Sequence, residues 1–254
     1  MTMLATMDIT SKGWVLFMAH LRELWKATWC VYLIILASDV AFVVIESAFN
    51  NGYLLGRVYD VLLWTNVFLS LGAFAYLSIV VAKILWHRLT KEKTRTSTVW
   101  QLFLPLFLVG FLTLLMMGIG FVMLIIPGII FSVWFYFSGN ALVIDGYRGR
   151  KGLSYSKALV RNRFWPIFGR IFLLTCVFGV FTFVALAPEL IINYLFQLPE
   201  YPTFNYQLGI KLVATIISAF TSYFIYLFSA GADIVFYHHI KTTADEKLIA
   251  FSIE

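Results

Sequence analysis

An uncharged stretch from residue 96 to residue 144 constrains the fold more than any other feature of the chain. Hydrophobic side chains fill most of it, and a transmembrane helix needs about 20 such residues. The stretch is therefore long enough for two spans and too short for three. Pro127-Gly128 lies where a reversal would divide them, because proline lacks a backbone donor and glycine permits a turn. We predict a tight hairpin there, and one long kinked helix is the alternative.

The composition of the whole chain is also typical of a membrane protein. Hydrophobic residues make up 61% of the 254 residues and charged residues only 13%, whereas soluble domains contain about 25% charged residues. Too few charges remain to cover a soluble surface. We therefore predict an all-α integral membrane bundle, a single polytopic domain over residues 1–254. Its six transmembrane helices are expected at 28–49, 61–86, 101–126, 129–144, 164–187 and 208–237.

Two shorter segments have the pattern of amphipathic helices lying at the cytoplasmic membrane interface. In residues 11–26 the apolar side chains recur at helical spacing while charged residues fall on other faces. The alternative for this segment is an extension of the first span. In residues 154–163, Ser154 can cap a short helix that continues through Ala158 and Leu159.

Lys and Arg residues give the predicted orientation, because positive residues that flank spans stay in the cytoplasm. Lys83 and Arg170 lie inside predicted spans and are assigned to the nearer end. One side then holds all but Arg57 and Lys211 of the 19 Lys and Arg residues. We therefore expect both termini in the cytoplasm. Topology also explains the net charge of +6, so no nucleic-acid partner is needed. The bilayer itself and anionic lipid headgroups are the expected partners, with headgroup contacts predicted for Arg148, Arg150, Lys151, Lys157, Arg161 and Arg163.

The search for reactive groups predicts no catalytic residue, no cofactor site and no metal site. Cys30 and Cys176 fall at different predicted depths, which argues against a disulfide between them. His238-His239 can be imagined as a metal site, but adjacent residues point apart on a helix. We interpret both histidines as interfacial polar residues.

Ionisable residues inside the spans are the candidate sites, because each is costly in hydrocarbon. Asp39 lies near the middle of the first span, and Glu46 follows two helical turns later on the same face. They indicate either a proton or cation path, or neutral carboxyls bonded to polar neighbours such as Ser70, Tyr76 or Tyr136. Arg170 and Asp233 are expected at similar depth in neighbouring spans. We predict an ion pair or a shared hydrogen-bond network between them, with Lys83 as a competing partner of Asp233.

Small residues recur at positions where helices can approach closely in lipid. Ala214, Ser218 and Ser222 repeat on one face of the sixth span, and Gly110, Gly118 and Gly120 lie in the third. We interpret them as packing features. A contact with another membrane protein or with a second copy of the chain is a further hypothesis.

Two stretches near the predicted hairpin carry a family resemblance. They read Gly118-Ile-Gly-Phe-Val-Met-Leu-Ile-Ile-Pro-Gly-Ile-Ile and Ala141-Leu-Val-Ile-Asp145, and a serine-containing basic stretch follows from Ser154 to Trp165. This arrangement resembles the YciC-like bacterial inner-membrane family and the membrane domain attached to some glycerophosphodiester phosphodiesterases. The resemblance implies six spans in the inner membrane and a poorly characterised function. It implies no phosphodiesterase activity, because that chemistry resides in a separate soluble barrel.

Three functions follow from these features as expectations. The first is a non-enzymatic role in assembly or envelope homeostasis through membrane partners, which the sequence favours. The second is a transporter or channel for a small solute, ion or lipid, which a cavity reaching Asp39 would support. The third is an intramembrane enzyme that grips a lipid phosphate with the basic segment 145–163.

Overall fold

The computed structural model describes residues 3–50, 56–92, 94, 98–123, 125–195 and 204–244. Helices account for almost all of these residues, and no strand occurs among them. The elements are α1 (Met3–Asn50), α2 (Gly56–Thr90), α3 (Val99–Met123), α4 (Ile125–Phe135), α5 (Ser138–Asn140), a π-helix (Ala141–Asp145), α6 (Arg150–Arg161), α7 (Phe164–Leu195) and α8 (Phe204–Thr243).

Six segments in the described ranges are long and apolar enough to cross a membrane, and they confirm the predicted all-α, multi-pass membrane architecture. They are Asp8–Ser47, Arg57–Thr90, Val99–Gly120, Ile125–Asp145, Phe164–Pro188 and Leu208–Thr243. The chain is therefore a multi-pass membrane protein. Helix α7 continues through Pro188 to Leu195, beyond the end predicted for the fifth span at residue 187.

Residues 11–26 do not form a separate interfacial helix, because α1 runs without a break from Met3 to Asn50. Part of their apolar face packs against α8 of the same chain. The Trp14 and Phe17 rings lie 5.1 and 6.2 Å from the Phe228 ring. A Cβ on Gly13 would lie 2.7 Å from the Ala232 Cα, so the two backbones approach closely. Trp14 and Met18 remain 47% and 49% exposed, so the face combines a helix–helix contact with an exposed apolar surface.

The uncharged stretch contains the predicted pair of spans, Val99–Gly120 and Ile125–Asp145. Helix α3 is described to Met123 and α4 from Ile125, and Pro127-Gly128 lies in the first turn of α4. Proline is tolerated there because the first turn of a helix has no intrahelical partner for that amide. A Cβ on Gly120 would lie 2.9 Å from the Gly128 Cα. These glycines therefore allow α3 and α4 to pack backbone against backbone.

The predicted short helix at 154–163 is present as α6, beginning four residues earlier. Its apolar side, which includes Leu153 and Leu159, is buried. Ser156 joins it to the end of α4: the Ser156 hydroxyl donates to the Trp134 carbonyl at 2.7 Å and accepts from the Phe137 amide at 3.1 Å. The apolar face of α6 therefore packs on protein, and its basic face remains exposed.

The chain divides into two compact units. One comprises residues 1–24, 78–176 and 228–254, and the other comprises residues 25–77 and 177–227. We call them the larger unit and the smaller unit. Helices α1, α2, α7 and α8 contribute residues to both.

Candidate functional site

The smaller unit contains a cavity of about 340 Å³ that Asp39 lines. We call it the Asp39 cavity. Its volume falls in the range of small-molecule sites. It is built by α1, α2, α7 and α8, and its walls are Tyr32, Ile35, Asp39, Phe42, Val43, Ser70, Phe74, Leu77, Leu186, Thr215, Ser218, Ala219, Ser222, Tyr223 and Tyr226.

The lining of the Asp39 cavity combines one carboxylate with aromatic rings and hydroxyls. Among the described lining residues Asp39 is the only carboxylate, and no Lys, Arg or His is present. The Tyr32 and Tyr223 rings are tilted by 35° with their centroids 4.5 Å apart, while Phe74 contacts Tyr226 edge to face at 5.7 Å. Ring faces and a carboxylate are the groups that attract a positive charge in an apolar setting.

Two hydroxyls in this cavity wall are buried without a hydrogen-bond partner among the described residues: Tyr32 Oη and Ser218 Oγ. The Ser218 side chain is only 3% exposed and that of Tyr32 only 5%. An unsatisfied hydroxyl in an apolar environment costs about 1–3 kcal/mol. The cavity wall therefore contains two buried polar atoms that no described protein group satisfies.

Neighbouring polar contacts fix the cavity walls. The Asn66 amide of α2 donates to the Ser38 carbonyl of α1 at 3.0 Å and to the Ser38 hydroxyl at 2.8 Å. The hydroxyls of Thr28 and Tyr223 are hydrogen-bonded to each other, which joins α1 to α8. These bonds hold the helices that carry Asp39 and Ser218 in register.

The sequence predicted Asp39 and Glu46 as one acidic stripe, but the structure separates their settings. Asp39 lines the cavity, whereas Glu46 is not among its lining residues. Ser70, one of the neighbours suggested for Asp39, shares the cavity with it. Tyr136, another suggested neighbour, bonds a different carboxylate.

That carboxylate is Asp233, whose predicted partner was Arg170. The Tyr136 hydroxyl donates to Asp233 Oδ1 at 2.6 Å, and the Arg170 guanidinium lies 6.0 Å from the centre of the Phe236 ring. Within the described part of the chain, Arg170 and Asp233 form no ion pair, so the ion-pair form of that prediction was wrong. Similar depth along two helices does not make their side chains face each other, because rotation about each helix axis decides that.

A buried cluster that sequence reasoning missed lies in the larger unit at the end of the π-helix. Asp145 accepts hydrogen bonds from the Tyr237 hydroxyl and the Lys241 ammonium, both on α8. The Lys241 Nζ also lies 5.1 Å from the centre of the Trp86 ring. The signal available in the sequence was Asp145 itself, an acidic residue that ends the uncharged stretch, with Lys241 in the last turn of α8.

The basic segment presents most of its charged side chains to the outside. Arg148, Arg150, Lys151, Lys157 and Arg161 are exposed, and Arg163 is half-buried. Lys157 lies 4.2 Å from the centre of the Trp134 ring, and Arg163 donates to the Thr243 hydroxyl at 2.7 Å. Exposure is compatible with contacts to lipid headgroups, which stay a prediction.

The histidines and cysteines are placed as follows. His238 packs against Trp86 with ring centroids 5.6 Å apart, and His239 is exposed. Cys30 and Cys176 are free thiols. In the ranges that the structure covers, no group of three or more His, Cys, Asp or Glu residues is arranged to hold a metal ion.

Comparison with known proteins gave one match. The family model described as "Domain of unknown function (DUF7847)" matches residues 31–240, which include every residue of the Asp39 cavity. No curated protein and no solved structure matched the chain.

Proposed function

The chain belongs to the DUF7847 family, a domain of unknown function, and we propose that it carries a small organic cation across the membrane through the Asp39 cavity. One observation carries the proposal: a carboxylate lines an intramembrane cavity in which the Tyr32 and Ser218 hydroxyls have no partner among the described residues. Binding and release need no covalent step, in keeping with a non-enzymatic role.

The charge of the cavity lining favours a solute of positive charge. No Lys, Arg or His lies among the described residues of the cavity wall, so an anionic solute would find no positive side chain there. A cation would instead neutralise the carboxylate and contact the faces of Tyr32, Phe74 and Tyr226. The two hydroxyls can accept hydrogen bonds from an ammonium group, which favours primary or secondary amines.

The setting of this transport is also proposed. The resemblance to YciC-like proteins supports a place in the bacterial inner membrane, and the distribution of Lys and Arg supports cytoplasmic termini.

Thermal stability of the purified chain in detergent tests ligand binding. The probes are methylammonium, ethylammonium, choline and sodium, each added as its chloride, because a ligand that binds only the folded state stabilises it. We expect at least one organic cation to raise the melting temperature of the wild type, and Asp39→Asn to remove that increase. Uptake of the same labelled cation into proteoliposomes then tests transport.

Glu46→Gln is the matched control, because Glu46 lies on the same helix, two turns from Asp39, and does not line the cavity. It should respond to the cation as the wild type does. The proposal is wrong if no probe stabilises the wild type, or if Asp39→Asn and Glu46→Gln respond equally.

An assembly role through a membrane partner is the second candidate. The observation that favours it is the exposed side of α3, where Gly110 and Gly118 have no heavy atom within 4 Å of an added Cβ. Another helix could approach the backbone there. Gly110→Leu should then reduce the mass of the complex extracted in gentle detergent, whereas an unchanged mass would count against this candidate.

A further inference from the structure

A second cavity, of about 560 Å³, lies in the larger unit between α1 and the ends of α2 and α8. We call it the Lys12 cleft. It shares no residue with the Asp39 cavity, so an inference about it does not depend on the proposed transport. Its lining residues are Ser11, Lys12, Val15, Leu16, Ala19, Leu89, Val235, His238, His239 and Thr242.

One end of the Lys12 cleft is polar and positively charged. Lys12, His239 and Thr242 are the polar residues of its wall at this end. The charges of Arg170, Lys12 and Arg163 act electrostatically on the His239 ring, and Asp8 opposes them. Asp8 and Lys12 pair with each other at 2.7 Å, so their charges offset one another. The positive charges of Arg163 and Arg170 near His239 remain and leave this end of the cleft cationic.

Arg170 strengthens this field. Its side chain is only 8% exposed, and it forms no ion pair within the described residues. A buried guanidinium without a carboxylate is costly, and an anion bound nearby would offset part of that cost.

The rest of the cleft wall is apolar. Leu16 and Val235 are buried at its floor, and Val15 is 65% exposed. Leu89 and Ala19 complete this side. A site with a cationic end and an apolar wall is complementary to a molecule with an anionic head and a hydrocarbon tail.

We propose that the Lys12 cleft binds one anionic phospholipid. The phosphate lies near Lys12 and His239, and part of an acyl chain lies along Val15, Leu16 and Leu89. This site differs from the exposed basic face of α6, where contacts with headgroups would be shared among many lipids. A free phosphate would use the cationic end but not the apolar wall.

Native mass spectrometry of the purified full-length chain tests the site. The probes are dioleoyl-phosphatidylglycerol, dioleoyl-phosphatidylcholine and glycerol phosphate, each titrated into delipidated protein. We expect one phosphatidylglycerol to bind more tightly than phosphatidylcholine, with little binding of glycerol phosphate. A positive residue near an anionic lipid contributes about 1 kcal/mol, which is about fivefold in affinity. Lys12→Gln should therefore weaken phosphatidylglycerol binding about fivefold.

Two further variants separate the site from general surface charge. Lys151→Gln removes an exposed lysine of α6 outside the cleft and should leave this first binding event unchanged. Ala19→Phe keeps every charge but fills the cleft, and it should weaken phosphatidylglycerol binding. Melting temperatures in phosphatidylcholine micelles show that each variant is folded. Equal effects of Lys12→Gln and Lys151→Gln, no effect of Ala19→Phe, or equally tight binding of glycerol phosphate would each overturn the proposal.

Discussion

At the residue scale, two ion pairs of the larger unit differ chiefly in burial. Asp145 and Lys241 have side chains that are 6% and 31% exposed, and Asp145 also accepts from Tyr237. Glu23 and Arg88 have side chains that are 40% and 45% exposed, with a two-pronged contact at 2.8 and 2.9 Å. Burial makes the loss of one partner costly, because the other cannot turn to water.

We expect Asp145→Ala to destabilise the protein by about 2–3 kcal/mol, below the range for a fully buried pair because Lys241 is partly exposed. The loss leaves the Tyr237 hydroxyl and the Lys241 ammonium without their acceptor. The measurement is the melting temperature in detergent.

Glu23→Ala is the matched control for the exposed pair, and it should cost at most about 1 kcal/mol. If Glu23→Ala lowers the melting temperature as much as Asp145→Ala does, burial is not what distinguishes the two pairs.

Single residues were only partly predictable from the sequence. Asp39 was identified because a carboxylate in an apolar span is costly wherever its side chain points. Ser218 was interpreted as a packing residue, because a hydroxyl in a membrane helix can hydrogen-bond to the backbone of its own helix. The sequence therefore does not indicate that the Ser218 hydroxyl lacks a partner among the described residues. The error at Arg170 and Asp233 arose from helix rotation, which residue spacing does not specify across two helices.

At the element scale, the α3–α4 hairpin depends on one close approach. Gly120 faces Gly128, and any side chain on Gly120 would meet backbone atoms at 2.9 Å. Backbone cannot move aside as a flexible side chain can. Gly118, two residues earlier on the same helix, has open space instead.

Gly120→Ala should therefore destabilise the protein by about 1–3 kcal/mol, the usual cost of overpacking. The matched change Gly118→Ala should be neutral or slightly stabilising, because alanine favours a helix over glycine by about 1 kcal/mol. Melting temperatures in detergent distinguish the two. A loss of stability in Gly118→Ala equal to that in Gly120→Ala would contradict the packing argument.

Element identity was predictable where hydropathy alone decides it. The uncharged stretch required two membrane spans, and the described residues contain two there, Val99–Gly120 and Ile125–Asp145. The residue at which α4 begins was not predictable, because proline is compatible both with a chain reversal and with the first turn of a helix. The interfacial helix predicted at residues 11–26 was wrong for a different reason. An apolar helix face has the same sequence pattern whether it contacts lipid or another helix such as α8.

At the scale of the whole molecule, the six spans fix which helix ends share a side of the membrane. Helix α2 offers the simplest test, because Arg57 lies at its start and Lys91 directly follows its end. Both residues are exposed. Positive-inside orientation assigns Lys91 to the cytoplasm and Arg57 to the opposite side.

Single cysteines at these positions, with Cys30 and Cys176 changed to serine, report that topology. A membrane-impermeant maleimide should label Arg57→Cys in intact cells and Lys91→Cys only after permeabilisation. The reverse pattern would place the termini outside, and labelling of both in intact cells would contradict the span assignment.

The position of Asp39 has an electrical consequence. In the transport that we propose, an ionised Asp39 that binds a monovalent cation forms a neutral complex, so the empty site carries the charge when it reorients. A membrane potential acts on that charge with about 2.3 kcal/mol per 100 mV for a full crossing. With saturating solute, where return of the empty site limits the cycle, cation uptake into proteoliposomes should change with an imposed potassium diffusion potential. Uptake that does not depend on voltage would mean that Asp39 is protonated when the site returns without the cation. The transported cation would then be exchanged for a proton.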